Sequence, residues 1–291
     1  MAAHRHARSD SRALALALAL VLGFAGVEAA AGLVSGSLAL LADAGHMLSD
    51  GLALGLALAA AALARRPATP RRSFGWRRAE ILAALANGVV LVVLALLIVL
   101  AAVRRLSDPP EVEGAWVLAT GSLGLVVNLV AARILHGAGD GLNVRAALLH
   151  VLADLASSVG VVVAGTVVLL TGWQLVDPLV GLLIGVLVLL STRRVLTESV
   201  AVLLEAAPRG LDVDALSAEL RAVDGVVGVH DLHVWTITSG FPALSAHVLV
   251  EPRADCHSIR RDLEVLLRER FALTHTTLQV EHAPGLLKLS R

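Results

Sequence analysis

Two five-residue stretches, "HMLSD" and "HVLAD", carry the most informative chemistry in this chain. Each places a histidine four residues ahead of an aspartate: His46 with Asp50, and His150 with Asp154. Residues four apart share a helix face, so each stretch offers one imidazole beside one carboxylate. Both stretches sit inside apolar runs. An aspartate at the centre of a membrane helix costs about 2.5–3.5 kcal/mol by insertion scales, so such groups are rare there and functional by default. Two spans lie between the two stretches, so their helices run antiparallel. If those helices touch, two imidazoles and two carboxylates meet. That donor set suits zinc, which takes His and Asp in tetrahedral geometry. The absence of sulfur argues against copper(I). Two carboxylates offset one divalent cation. When the cation leaves, protons must offset them instead, because bare carboxylates are costly in a low-dielectric place. A site that holds metal or protons, but not both, is the core of an antiporter.

Asp43 lies three residues before His46 on the same face. Two readings stand for it: a group that helps metal reach the ligands or supports them, or a helix-start carboxylate near the interface. Three other readings of the paired motif remain. Polar groups can simply hold a helix bundle together. They can relay protons for another solute. A membrane metallohydrolase would need an open metal position and a base such as that of HExxH, and no HExxH occurs in the sequence.

The elements that must position these residues are six apolar segments, near 13–34, 38–63, 81–103, 115–135, 146–170 and 175–195. Each approaches the ~20 residues that span a bilayer as a helix. The breaks between them carry turn chemistry, "SGS", "RRPATPRR", "SDPPEVEG", "HGAGDGLN" and "TGWQLVDP". Composition agrees: 57% of the 291 residues are hydrophobic and 16% charged, against about a quarter charged in soluble domains. The formal net charge is zero and no basic run resembles a nucleic-acid patch. One cysteine, Cys256, excludes an internal disulfide. A cleaved leader is the alternative for the first segment, since Arg5, Arg8 and Arg12 precede an apolar run ending in "EAAAG". That run is longer than the usual ~7–15 apolar residues of a leader, and Glu28 lies within it.

Arginine sets the expected orientation. Arg5, Arg8 and Arg12, the six arginines of the second loop (Arg65, Arg66, Arg71, Arg72, Arg77, Arg78) and the Arg193–Arg194 pair fall on one side of a six-fold weave. The other side has only Arg104 and Arg105. Both termini are therefore expected in the cytoplasm, with 1–12 as a tail and 13–205 as the membrane domain. Asn87 and Asn128 are expected to hydrogen-bond between helices. Glu28 is either a group that helps protons or cations reach the site or a structural carboxyl. Asp177, before Pro178, reads as a turn or helix-start residue.

Beyond residue 205 the texture turns polar. Residues 214–223 read as a helix, "VVGVHDLHVWTIT" and "ALSAHVLVE" as strands, "HSIRRDLEVLLRERF" as a helix and "HTTLQVE" as a last strand. This order gives a small α+β domain, 206–291, with helices packed on one sheet. Strand alternation puts His230 and His233 on opposite faces unless a bulge intervenes. Cys256 beside His257 could add a thiolate to a metal site.

The long motifs "SGSLALLADAGHMLSDGLALGLALAA", "FGWRRAEILAALANG", "HVLADLASSVGVVVAG" and "DPLVGLLIG", in this order, resemble the cation diffusion facilitator family, and the paired HxxxD resembles its zinc-transporting branch. The resemblance implies an α-helical membrane protein of six transmembrane helices with a C-terminal cytoplasmic ferredoxin-like domain. It implies a homodimer in the inner membrane that exports zinc in exchange for protons, with His46, Asp50, His150 and Asp154 as transport ligands. Cadmium, cobalt or nickel is the alternative cargo. It also implies a cytoplasmic metal set of His230, His247, His275 and Glu281, with His257 as a possible bridge; ordinary surface histidines are the alternative. Two departures stand out. The second loop has no His, Asp, Glu or Cys, so no metal site is expected there. The fourth loop offers only His136 and Asp140, so any metal-capturing segment is reduced.

Overall fold

Leucine-, valine- and alanine-rich runs with no interior proline build the six long helices, because a bilayer leaves every backbone group to be satisfied within the helix. A computed structural model describes residues 2–137 and 142–283; Asp140 lies outside the described residues. The helices are α1 (Ala2–Ser35), α2 (Leu38–Ala64), α3 (Ala79–Ser107), α4 (Gly114–His136), α5 (Leu142–Thr171) and α6 (Val176–Leu203). All six are long and apolar enough to cross a membrane, the apolar part of α1 beginning at Ala13. The chain packs as two units: residues 1–59 with 84–196, and residues 60–83 with 197–291. The second loop and the helix ends that flank it thus pack with the C-terminal part, which composition alone did not separate from the membrane domain.

In the first unit, small residues let backbones meet. A Cβ on Gly165 of α5 would fall 2.5 Å from the Leu118 backbone nitrogen of α4, and one on Gly121 would fall 2.9 Å from Val161. The two helices therefore touch backbone to backbone, as small-residue interfaces in membranes do. Asn128 of α4 adds a hydrogen bond, Nδ2 to Ser158 Oγ at 3.1 Å, as expected of it. Asn87 Oδ1 instead has no hydrogen-bond partner and lines the cavity described below.

The start of α2 is fixed by Asp177, in the first turn of α6. Its carboxylate accepts from the Ser37 hydroxyl and from the backbone N–H groups of Leu38 (2.7 Å) and Ala39 (3.3 Å). Asp177 is thus a helix-start residue for two helices, and it satisfies donors that α2 leaves open at its N-terminus. Arg105 Nη1 lies 3.9 Å from the same carboxylate and donates to the Gly36 carbonyl.

In the second unit, α7 (Val213–Arg221), β1 (Val226–Thr238), β2 (Phe241–Val250), α8 (Cys256–Phe271) and β3 (His275–His282) follow in the order read from the sequence. The sheet order is β1-β2-β3, with β1–β2 antiparallel and β2–β3 parallel. The parallel pair needs a crossover, which α8 supplies. Leu216 and Leu220 of α7, Leu244, Val248 and Val250 of β2, and Leu263 and Leu267 of α8 form the core on one face of the sheet. Asp212 and Asp255 cap the two helices, each accepting from two backbone N–H groups.

Candidate metal centre

The capped start of α2 and the glycine-packed flank of α5 bring their histidine–aspartate pairs together. His46 Nδ1 lies 3.6 Å from Asp50 Oδ2, and His46 Nε2 lies 3.9 Å from Asp154 Oδ1. His150 Nε2 lies 3.1 Å from Asp50 Oδ2 and 3.8 Å from Asp154 Oδ2. The two imidazole rings meet edge to face, their centroids 6.0 Å apart. A tetrahedral zinc with ligand bonds of about 2.0–2.1 Å has ligand–ligand edges of about 3.3–3.4 Å. One donor atom each from His46, Asp50 and Asp154 lie within 4.8 Å of one another, close enough to share one ion; the four separations above use both nitrogens of His46 and both oxygens of Asp154, so they are not the edges of a single tetrahedron. His46 Nδ1, Asp50 Oδ2 and both carboxylate oxygens of Asp154 are buried without a hydrogen-bond partner. Native interiors satisfy nearly all buried polar atoms, so four orphans on one cluster call for an ion or protons.

The cluster borders a cavity of about 570 Å³, lined also by Asn87 and Gly88 of α3 and by Ser191 and Thr192 of α6. Asp154 is the most deeply placed of the four, 2% exposed, while His150 is 46% exposed and opens to this space. Asp43 is fully buried one turn away, and the Ser157 hydroxyl donates to its Oδ1 at 2.5 Å. It therefore stands inside the helix bundle, and Asp43 lies in the second turn of α2, five residues after its first residue, Leu38. Glu28 of α1 is also buried, with Oε2 unpartnered.

In the second unit the structure brings together a different set from the one expected. His230 and His247 stand opposite each other on β1 and β2, ring centroids 5.1 Å apart. Asp231 completes a cluster whose ligand atoms lie within 4.8 Å of one another. Asp231 did not figure in the sequence reading. The β1–β2 register shifts between His230 and His233, where Asp231 adopts φ +49°. The extra residue of this bulge turns His233 to the face of His230: their partners His247 and Ser245 are two apart on β2 and share a face. The sequence held one clue, since Val229 and Val234 are both buried yet an odd number of residues apart.

The remaining expected ligands lie elsewhere in the protomer. His275 pairs with Ala243 at the far end of the ladder and packs its ring against Phe74 and Phe241, with centroids 5.7 and 5.3 Å away. Glu281 pairs with Leu249 and accepts from Gln279 Nε2. Gln279, not an expected ligand, stands opposite His247. His257 lies in the first turn of α8, where its backbone N–H donates to Asp255. Cys256 packs against the domain core as a free thiol.

Six membrane-length helices carrying a partly buried His–Asp cluster, with a small α+β domain after them, define a multi-pass membrane protein with a candidate site for a divalent cation. Residues 14–204 match the cation efflux transmembrane domain and residues 208–283 match the cation efflux protein cytoplasmic domain; the chain belongs to the cation efflux family. Among similar proteins, the zinc transporter ZitB of Escherichia coli (strain K12) is 41% identical, over 97% of this chain and 93% of that one. The metal cation efflux system protein CzcD of Cupriavidus metallidurans is 40% identical, over 97% of this chain and 90% of that one. The cadmium, cobalt and zinc/H(+)-K(+) antiporter of Bacillus subtilis (strain 168) is 39% identical, over 96% of this chain and 91% of that one.

Proposed function

We propose that this protein exports zinc from the cytoplasm in exchange for protons, by alternating access around His46, Asp50, His150 and Asp154. The observation that carries the reading is the convergence of these four side chains from two helices with their buried oxygens and His46 Nδ1 unpartnered. Family membership supports metal efflux, and a zinc transporter 41% identical over almost the whole length supports zinc. Two carboxylates neutralise the cation, so the loaded site crosses the bilayer without net charge; two protons do the same for the return. Both conditions lower the cost of moving the site through a low-dielectric barrier. Two imidazoles select a borderline ion over harder ones such as manganese.

Cadmium and cobalt form the second reading, because the Bacillus subtilis relative carries both in its name. A homodimer in the inner membrane with both termini in the cytoplasm completes the proposal, supported by the arginine asymmetry and the match to the family's cytoplasmic domain. Asp43 accepts from the Ser157 hydroxyl beside the four residues, as a supporting group near the site. His230, Asp231 and His247 form a regulatory metal site on the cytoplasmic sheet. The test is zinc-driven proton release from sealed proteoliposomes: it is expected for the wild type and absent for Asp154→Ala. Equal exchange in both proteins would refute the four-residue transport site.

A further inference from the structure

The second loop holds six arginines and no acidic residue, and its chemistry is unused by the metal sites. It is a folded element, not a loose linker. Thr69 and Arg72 exchange backbone hydrogen bonds at 3.1 and 2.9 Å, and Gly75, at φ +66°, donates its N–H to the Arg72 carbonyl. Arg72 lays its guanidinium 3.9 Å from the centroid of Trp76, and Arg77 lays its own 4.4 Å from the centroid of Phe241. Stacking fixes a guanidinium plane while leaving its N–H edge free to donate. The loop and the sheet together enclose a cavity of about 910 Å³, whose walls include Arg71, Arg72, Arg77 and Arg78. Glu205 is the single carboxylate on those walls, and it is engaged by Arg78 at 3.0 Å. Arg71, Arg72 and Arg77 have no acidic partner among the described residues. Ser73, His233 and Ser245 add polar groups to the same space.

Three exposed guanidinium groups without an acidic partner around one cleft give it a positive potential that favours an anion. Their planar, forked donors match the oxygens of a phosphate better than a halide. The loop joins the last residue of α2, Ala64, to the first of α3, Ala79. Chain continuity therefore holds it beside two span ends, within reach of lipid headgroups. We propose that this cavity is a binding site for a phosphate group, supplied by the headgroup of an anionic lipid or by free phosphate.

The test uses the full-length, delipidated protein and two probes. Inorganic phosphate is compared with chloride at matched ionic strength, reading the thermal unfolding midpoint. Nanodiscs of phosphatidylglycerol are compared with nanodiscs of phosphatidylcholine, reading the midpoint and the lipid retained on release into native mass spectrometry. Stabilisation by inorganic phosphate identifies the free ion as a ligand; retention of phosphatidylglycerol identifies the lipid. In either arm the Arg71→Gln, Arg72→Gln double variant should bind roughly tenfold more weakly, the loss expected of two charge-assisted contacts, with zinc stoichiometry unchanged. If neither probe stabilises the wild type beyond its control, the site does not exist, whatever the variants do. Equal stabilisation of the wild type and a double variant that still binds zinc would place the anion elsewhere and overturn the assignment.

Discussion

At the scale of the residue, the divided charge of the candidate centre makes sharp predictions. Removing Asp50 or Asp154 leaves a divalent ion with one carboxylate and a net positive charge in a low-dielectric site. Asp50→Ala and Asp154→Ala should each abolish zinc-driven proton release in proteoliposomes. His46→Asp should keep metal binding but widen selectivity toward manganese, since an oxygen replaces an imidazole. Competition between zinc and manganese for transport measures this, and wild-type discrimination in His46→Asp would contradict it. These four residues were legible in the sequence because helical periodicity turns a spacing of four into a shared face. The candidate cluster on the C-terminal sheet was only half legible. His230 and His247 could be named, but Asp231 sits in a left-handed bulge that no glycine announces. Aspartate tolerates that conformation better than most residues, so the chain hides the turn behind an ordinary acidic side chain.

At the scale of the element, capping and close approach decide where the site residues stand. The six spans could be read to within a few residues, except that α1 continues upstream of its apolar part to Ala2. The sheet, too, was readable, because helix and strand periods differ. What the sequence could not show is which glycines touch backbone. Gly165 is one, with no room for a Cβ beside Leu118. Gly165→Val should separate α4 from α5, lower the thermal midpoint and weaken zinc binding, whereas Gly172→Ala tests only a strained turn residue with open space around it. In α8, Asp255 caps the helix, and the Ser258 and His257 backbone N–H groups hold its carboxyl below the usual carboxylate range. A depressed value contributes stability that is present above the ordinary value, near pH 4, and lost as pH falls through the folded one. Asp255→Asn, which can still cap, should flatten the acid dependence of the unfolding of the C-terminal domain.

At the scale of the whole molecule, the chain packs as two compact units, and they are expected to carry separate tasks. Truncation after Pro208 should leave zinc binding at the membrane cluster intact while weakening self-association; loss of that binding in a folded truncation would reassign the cluster. Leu263→Ala in the core of the C-terminal domain should cost about 2–5 kcal/mol there and leave the membrane helices unaltered in circular dichroism. The division of labour also reaches into the membrane centre. The four residues of the candidate centre are not spread over four helices but held as two couples, one on α2 and one on α5. Within a couple the spacing is fixed by the helix; between couples it rests on side-chain contacts such as His150 to Asp50 and on the Ser157–Asp43 hydrogen bond. A slip of α2 along α5 by a single residue's rise, about 1.5 Å, is comparable to half of any cross-helix edge. Sliding one helix past the other would therefore change every cross-helix distance of the candidate centre at once while leaving each couple intact.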